Sequence, residues 1–302
     1  MSLFDELVDQ ALKNKSELTP LRVVIEKELL HHDILRVLSQ AGLLTHLTFI
    51  GGTCLRSCYG SSRLSEDLDF TGGIDFTREK LSEMASTLVE SLKTKYGLEV
   101  IVAEPMREEG NVDTWKLKIQ TRPGRRDLPA QRINIDVCSI PSYEPKPMML
   151  LNPYGIEMGS SGLILQAQSR EEIFADKLVA LALRPNRIKN RDLWDIAWLH
   201  QQQVKPALEL IKRKLKDHKA QPESYLDAFK QRLESMRDDA TVANQFRQEM
   251  KRFLPSQIVN ETVASNEFWI FLVGLLESLL NDVIISLTSQ LTSRPQATSF
   301  KM

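Results

Sequence analysis

A short apolar run at 47–50 stops at Gly51-Gly52, and a helical pattern resumes at once from Thr53 to Tyr59. A strand that passes into a helix through two glycines cannot stand alone, because the strand needs partners and the turn uses backbone freedom that only glycine supplies. The chain around it provides the partners. Residues 65–70 read as a second strand, and 98–103, 112–121 and 132–139 are β-rich stretches that follow a helix expected over 78–96. A further short strand is expected at 162–168. The basic turn Arg122-Pro-Gly-Arg-Arg126 joins two of these strands, and 141–147 reads as an irregular connection.

Helices flank this β-rich region on both sides. The amino terminus reads as an amphipathic helix, and Thr19-Pro20 as an N-cap with proline at the first position of a long helix ending near Gly42. Ser169-Arg-Glu-Glu172 has the form of a capping box for a helix running to Arg184. Beyond it the pattern is helical throughout, at roughly 190–202, 206–217, 222–236, 240–253 and 266–288. The expected class is α+β: a mixed sheet with helices, followed by an all-helical carboxy-terminal half, divided as 1–168 and 169–302.

Composition narrows the functional classes. Thirty-nine basic and forty acidic side chains give a net charge of -1, so no global field draws the chain to nucleic acid or to an anionic membrane, and any polyanion site is local. Cys54, Cys58 and Cys138 form neither a disulfide framework nor a CxxC pair, and the histidines lack zinc-ligand spacing. His31 and His32 read as ordinary helix residues, and Cys54 and Cys58 as core packing. With no signal-peptide layout at the amino terminus, a reducing cytoplasmic setting is expected. The apolar stretch 268–287 is interrupted by Glu277, Asn281 and Asp282, which reads as a buried helix rather than a membrane span.

In Ser65-Glu66-Asp67-Leu68-Asp69-Phe70, period two puts Asp67 and Asp69 on one strand face. Paired carboxylates repel unless a cation lies between them, and magnesium commonly takes one or two protein carboxylates plus substrate phosphates. An isolated DxD is more often a solvated edge strand. The Gly51-Gly52-Thr53 turn changes that balance, because amides at a helix start can receive a triphosphate. A third acid, Asp136, projects from the strand Arg132-Ile-Asn-Ile-Asp136-Val on the face opposite Ile133, Ile135 and Val137. Two cations and three acids are what polymerase-type phosphoryl transfer uses. Lys177 emerges from an apolar helical face, where the plain alternative is a stem that snorkels to solvent. Asp192 follows Asn190, a plausible N-cap, and its charge would suit a helix start whatever the function.

The run FIGGTCLRSCYGSSRLSEDLDF, with Glu26-Lys27-Glu28-Leu29-Leu30 before it, resembles the AbiEii/AbiGii nucleotidyltransferase toxins of type IV toxin–antitoxin and abortive-infection (phage-defence) systems. Arg63, Ser65 and Asp67 match an arginine-x-serine-x-aspartate lead-in. Arg191-Asp192-Leu-Trp-Asp195 is similar to an arginine-aspartate-x-x-aspartate helix start, and the resemblance spans about residues 20 to 200. It implies a polymerase-β-like minimal nucleotidyltransferase fold and transfer of a nucleoside monophosphate from an NTP with release of pyrophosphate. Two Mg2+ ions would be held by Asp67, Asp69 and Asp136. Gly51, Gly52, Thr53, Arg63, Ser65 and Lys177 would bind nucleotide, with Lys177 and Asp192 added to the catalytic set and Asp195 structural. Thr53 replaces the serine usual in wider polymerase-β-like enzymes and keeps its hydroxyl.

The resemblance also implies a cognate antitoxin and an acceptor that is RNA, tRNA first, in some relatives and a partner protein in others. Arg122, Arg125 and Arg126, with Arg132 beside them, and Arg187 and Lys189 among the cations before Asp192, would suit an RNA backbone if they flank the cleft. Alternatives are nucleotidyl modification of a protein or small molecule, a metal-dependent nuclease built on the same acids, and a nucleotide-binding regulator without turnover. A nuclease has no need of the glycine turn or of Lys177.

Overall fold

The computed structural model describes residues 2–106, 110–122, 129–185 and 187–292. The strand that runs into the glycines, β1 (Thr48–Ile50), lies near the centre of a mixed sheet with β2 (Leu68–Thr71), β3 (Glu99–Ala103), β4 (Val112–Gln120), β5 (Gln131–Cys138), β6 (Pro145–Met149) and β7 (Ile164–Gln168). Among the described residues the order is β3-β4-β5-β2-β1-β7-β6. β1 runs antiparallel to β2 and parallel to β7, β2 runs parallel to β5, and β4 is antiparallel to both β3 and β5.

Alternation along the strands decides what each face meets. Trp115, Leu117 and Ile119 of β4 and Ile133, Ile135 and Val137 of β5 are buried on the side covered by α2 (Arg22–Gln40) and α4 (Met84–Tyr96). Lys116, Lys118 and Arg132 stand exposed on the other side. Buried Asp33 of α2 ties the two covering helices together, accepting from Lys95 Nζ at 2.6 Å and from the Tyr96 hydroxyl at 2.5 Å. In front of them α1 (Leu3–Asn14) is capped by Ser2, which exchanges hydrogen bonds with Asp5.

Several elements differ from the sequence reading. Thr19-Pro20 does not cap α2: both lie in a 3-10 stretch, Ser16–Leu21, where the Thr19 hydroxyl donates to the Ser16 carbonyl at 2.8 Å. The helix expected from residue 78 begins as a 3-10 turn, Arg78–Leu81, with α4 starting only at Met84. The region around Pro145 and Pro147 is not irregular but forms β6, pairing with β7 at the sheet edge. Proline is tolerated there because an edge strand has one side with no ladder to supply.

After β7 everything described is helical: α5 (Arg170–Leu183), α6 (Asn190–Gln201), α7 (Leu208–Asp217), α8 (Pro222–Asp238), α9 (Ala240–Met250), α10 (Ser256–Glu261) and α11 (Asn266–Thr292). The six residues of α10 are too few for a periodic signal. α5 packs on α6, α7 and α8. Ser169 caps α5 by accepting from the Glu172 amide at 3.0 Å. The Glu172 carboxylate, however, turns to the Tyr143 and Glu144 amides and to Lys214, so only half of a capping box forms. α11 is apolar enough over Asn266–Thr288, at mean hydropathy 1.9, to cross a membrane by length and composition. It buries Trp269, Leu272, Leu276 and Val283 among its neighbours and leaves Ile270, Phe271 and Ile285 exposed. One continuous apolar core runs from Phe4 to Leu287, across the end of β7 at Gln168.

His31 and His32 are deep in this core. His31 Nε2 is 3.0 Å from the Glu66 carbonyl and His32 Nδ1 2.9 Å from Ser160 Oγ, and burial pushes both imidazoles down to about 4. Unfolded imidazoles take up protons near 6.5, so between that pH and about 4 the unfolded chain binds more protons than the folded one. The stability these residues contribute is therefore full above about pH 6.5 and is lost as pH falls through that window. Imidazole proton NMR resonances followed from pH 7.5 to 5 are expected to show both rings neutral throughout, with unfolding free energy falling over the same range. A ring titrating at its ordinary pH would contradict this.

Candidate active site

Strand register assembles the acids. β2 and β5 pair so that Asp69 lies directly beside Asp136, and β4 places Thr114 on the other side of Asp136. Asp67 sits just before β2, and its Oδ1 accepts from the Asn134 amide at 3.0 Å, which fixes its carboxylate against β5. Burial raises the Asp69 carboxyl, and the charges of Asp67 and Asp192 add to the effect against the opposing pull of Lys189 and Lys177. Asp136 is raised in the same way, by burial and then by Asp69 and Asp67, with a Thr114 hydrogen bond opposing. Its Oδ1 is buried without a hydrogen-bond partner. An oxygen left so is costly unless a ligand completes the site.

The glycine turn touches this group. β1 pairs with β2 so that Ile50 faces Asp69, and the next residue, Gly51, has φ +77°. A Cβ at Gly51 would lie 2.7 Å from Asp69 Oδ2, so both backbone conformation and space demand glycine. α3 (Gly51–Tyr59) begins here without a side-chain cap. A Cβ at Gly52 would run into Arg63 Nη2. Arg63 lies buried under the turn, with Nε and Nη2 donating to Asp195 at 2.8 and 2.9 Å. The buried Thr53 hydroxyl donates to the Asp67 carbonyl and lies 2.6 Å from Ser65 Oγ. The polar groups of Arg63, Ser65 and Thr53 are thus spent inward, supporting the turn and the start of β2.

A cationic wall stands opposite. Lys177 of α5 does not snorkel. It is buried, with Nζ 2.5 Å from Asp192 and 2.9 Å from Asp195 of α6, and these two charges hold its ammonium above the ordinary value despite burial. Arg184 reaches Asp192 at 3.3 Å. Burial alone would raise the Asp192 carboxyl, but Lys177, Lys189 and Arg184 outweigh it and hold it far below the usual range. Burial lowers the Lys189 ammonium, and the neighbouring Lys177 lowers it further against the charges of Asp192 and Asp69. Asn190 is the first residue of α6 rather than its cap, and its amide nitrogen donates to Glu249 at 2.9 Å.

Gly51, Asp69, Asp136, Lys177, Lys189 and Asp192 line one cavity of about 570 Å³, together with apolar side chains that include Ile140, Ile173 and Leu183. Lys189 therefore faces the acids from inside the cleft. Thr114 joins the group with no sequence signal of its own, since only strand pairing brings it in, and Arg184, one of the cations before α6, lines the cleft. Arg122 is elsewhere: it pairs with Glu26 and, at 4.0 Å, with Asp5. That end of the β4–β5 hairpin, where Ile119 faces Gln131, is about 17 Å along the strand from Asp136. Arg187 is exposed. Arg125 and Arg126 lie outside the described residues.

Among the described residues no three His, Cys, Asp or Glu side chains form a ready-made metal cage. The adjacent Asp69 and Asp136 with the orphaned Oδ1 nevertheless suit magnesium, which needs one or two carboxylates and completes its shell with water and phosphate.

No protein of curated function matches the chain in sequence. Among solved structures it resembles MenT4, a nucleotidyltransferase toxin from Mycobacterium tuberculosis H37Rv, at 16% identity and TM-score 0.57, covering 92% of this chain and 89% of that one. It also matches JHP933 from Helicobacter pylori at 18% identity and TM-score 0.45, covering 89% and 97%. At such identity the MenT4 likeness establishes the fold. The family described as nucleotidyl transferase AbiEii toxin, type IV toxin–antitoxin system, matches residues 33–269. Membership implies an NTP substrate and a cognate antitoxin, and the chain belongs to the AbiEii nucleotidyltransferase toxins.

Proposed function

We propose that this site transfers a nucleoside monophosphate from an NTP to the hydroxyl of an RNA acceptor, tRNA being the expected class, with magnesium held by Asp67, Asp69 and Asp136. The observation that carries the reading is the register that sets Asp69 beside Asp136 with Gly51 pressed against Asp69. The uncapped amides of α3 receive phosphate oxygens, and Lys177 and Lys189 face them across the cleft. The free Oδ1 of Asp136 supports a role for this carboxylate in the cation site, and in this reading the Asp136 carboxylate also helps to take the proton from the acceptor hydroxyl. The acceptor oxygen then bonds to the α-phosphorus as the bond to pyrophosphate breaks. Bound magnesium supplies the charge that draws the acids together and stabilises the entering and leaving oxygens. Asp192 and Asp195 act through Lys177, holding its ammonium in place, and Arg63 acts by fixing the turn.

Asn at position 67, 69 or 136 removes the charge that clamps the cation while relieving like-charge crowding. Asp67→Asn, Asp69→Asn and Asp136→Asn are each expected to fold with unchanged or raised melting temperature and to lose transfer by about a hundredfold or more. Pyrophosphate release with each labelled NTP, Mg2+ and total cellular RNA measures this. Turnover near wild type in a folded variant contradicts the assignment, and label on lysate protein with none on RNA rejects the acceptor.

The two lysines are expected to separate. Lys177→Met leaves Asp192 and Asp195 short of a buried partner and should cost about 3–5 kcal/mol in denaturant unfolding. Lys189→Ala, at a half-buried position with no carboxylate held solely by it, should keep stability within about 1 kcal/mol of wild type while slowing transfer. Equal destabilisation by the two changes would refute this division.

A further inference from the structure

We infer that the acceptor RNA is held along the outward face of β4 and β5 by Lys116, Lys118 and Arg132. The inference rests on the RNA reading of the site and names where that strand lies.

The register gives the arrangement. Thr114 faces Asp136, Lys116 faces Asn134, and Lys118 faces Arg132. These side chains share the sheet face that carries Asp136, while Trp115, Leu117 and Ile133 turn to the core on the other. Each two-residue step moves about 6.8 Å from Asp136, so the cations form a row that starts one step from the acid and extends away from the cleft. Lys116, Lys118 and Arg132 are all exposed. No acidic side chain interrupts the row on β4 or β5, and none of the three is ion-paired among the described residues. Arg122, Lys95 and Arg36, by contrast, are each tied to a carboxylate. On β3 the same face presents Ala103 beside Lys116 and the half-exposed Ile101 beside Lys118, an apolar strip next to the charges.

Reaction geometry agrees with an entry on this side. In-line displacement needs the attacking hydroxyl and the departing pyrophosphate on opposite sides of the phosphorus. With the triphosphate against the α3 start, Lys177, Lys189 and Arg184, which line one wall of the cleft, the hydroxyl arrives on the opposite, Asp136 side, to which β5 and β4 lead. A chain of net charge -1 offers no general attraction for RNA, and an unpaired row leading to the acid supplies a local one. Its ligand is a polynucleotide end with a free hydroxyl. The phosphodiesters would lie on the cations and the flanking sugar or base against Ile101.

The test uses the whole 302-residue chain, unfractionated tRNA and labelled NTP. The triple variant Lys116→Gln, Lys118→Gln, Arg132→Gln changes only exposed side chains, and its melting temperature is expected to match wild type. Its log–log dependence of tRNA affinity on salt should flatten by about 2, from roughly 0.7 per lost phosphate contact. The KM for tRNA should rise at least about tenfold with the KM for NTP unchanged. Lys116→Arg with Lys118→Arg should retain the wild-type slope. Wild type that labels tRNA while the triple variant keeps the same slope and KM overturns the track and leaves the RNA reading intact. Wild type that neither binds nor labels tRNA overturns both.

Discussion

Arg63 is buried between the glycine turn and α6, its guanidinium bonded through two nitrogens to Asp195, and the site depends on this contact. Asp195 also receives Lys177 of α5, which reaches Asp192, which in turn receives Arg184. One chain of alternating charges therefore runs from beneath α3 to the far wall of the cleft. Removing several ions from water is expensive, and a buried pair repays that cost only when its geometry is good and its other hydrogen-bonding positions are filled. Breaking any link leaves a carboxylate or a cation alone in the interior. The turn, α5 and α6 consequently hold one relative placement, and the cleft between them is built before any ligand arrives.

The acids facing this network are arranged in the opposite sense. In the wall each carboxylate has a cation at bonding distance, whereas Asp69 and Asp136 lie next to each other and to Asp67, with their carboxyls raised by burial and mutual charge. Stability is forgone at these acids and recovered in the wall. The backbone obeys the same logic: Gly51 in the left-handed region lets the chain approach Asp69 more closely than any side chain allows.

The strand, glycine turn and helix at 47–59 were legible because two glycines between an apolar run and a helical pattern admit few backbone paths. Asp69 was legible from period two and Asp136 from the alternation of Ile133, Ile135 and Val137, whereas Asp67, read on the same strand, lies just before β2 and is fixed by the Asn134 amide. The carboxy-terminal helices showed their apolar faces, and only α10 was too short to register. β6 was hidden by Pro145 and Pro147, since proline argues against a strand unless it is known to be an edge, and edges exist only once the sheet is ordered.

Periodicity and glycine are local properties of the chain, and they suffice to mark Asp69 and Asp136 as acids on one sheet face beside a glycine turn. Tertiary structure decided what each residue does there. Thr53, Ser65 and Arg63 look like nucleotide ligands in the linear motif, yet their polar atoms are taken up inside the protein. Lys189 could read as a flanking surface cation but faces Asp69 across the cleft, while Arg122 is paired to Glu26 at the far end of its hairpin. Arg132 was legible only as a cation beside the basic turn, Lys116 and Lys118 carry no local signal, and their common row with Asp136 follows from strand register alone. Burial, pairing and charge balance depend on neighbours distant in the chain, and no local pattern encodes them.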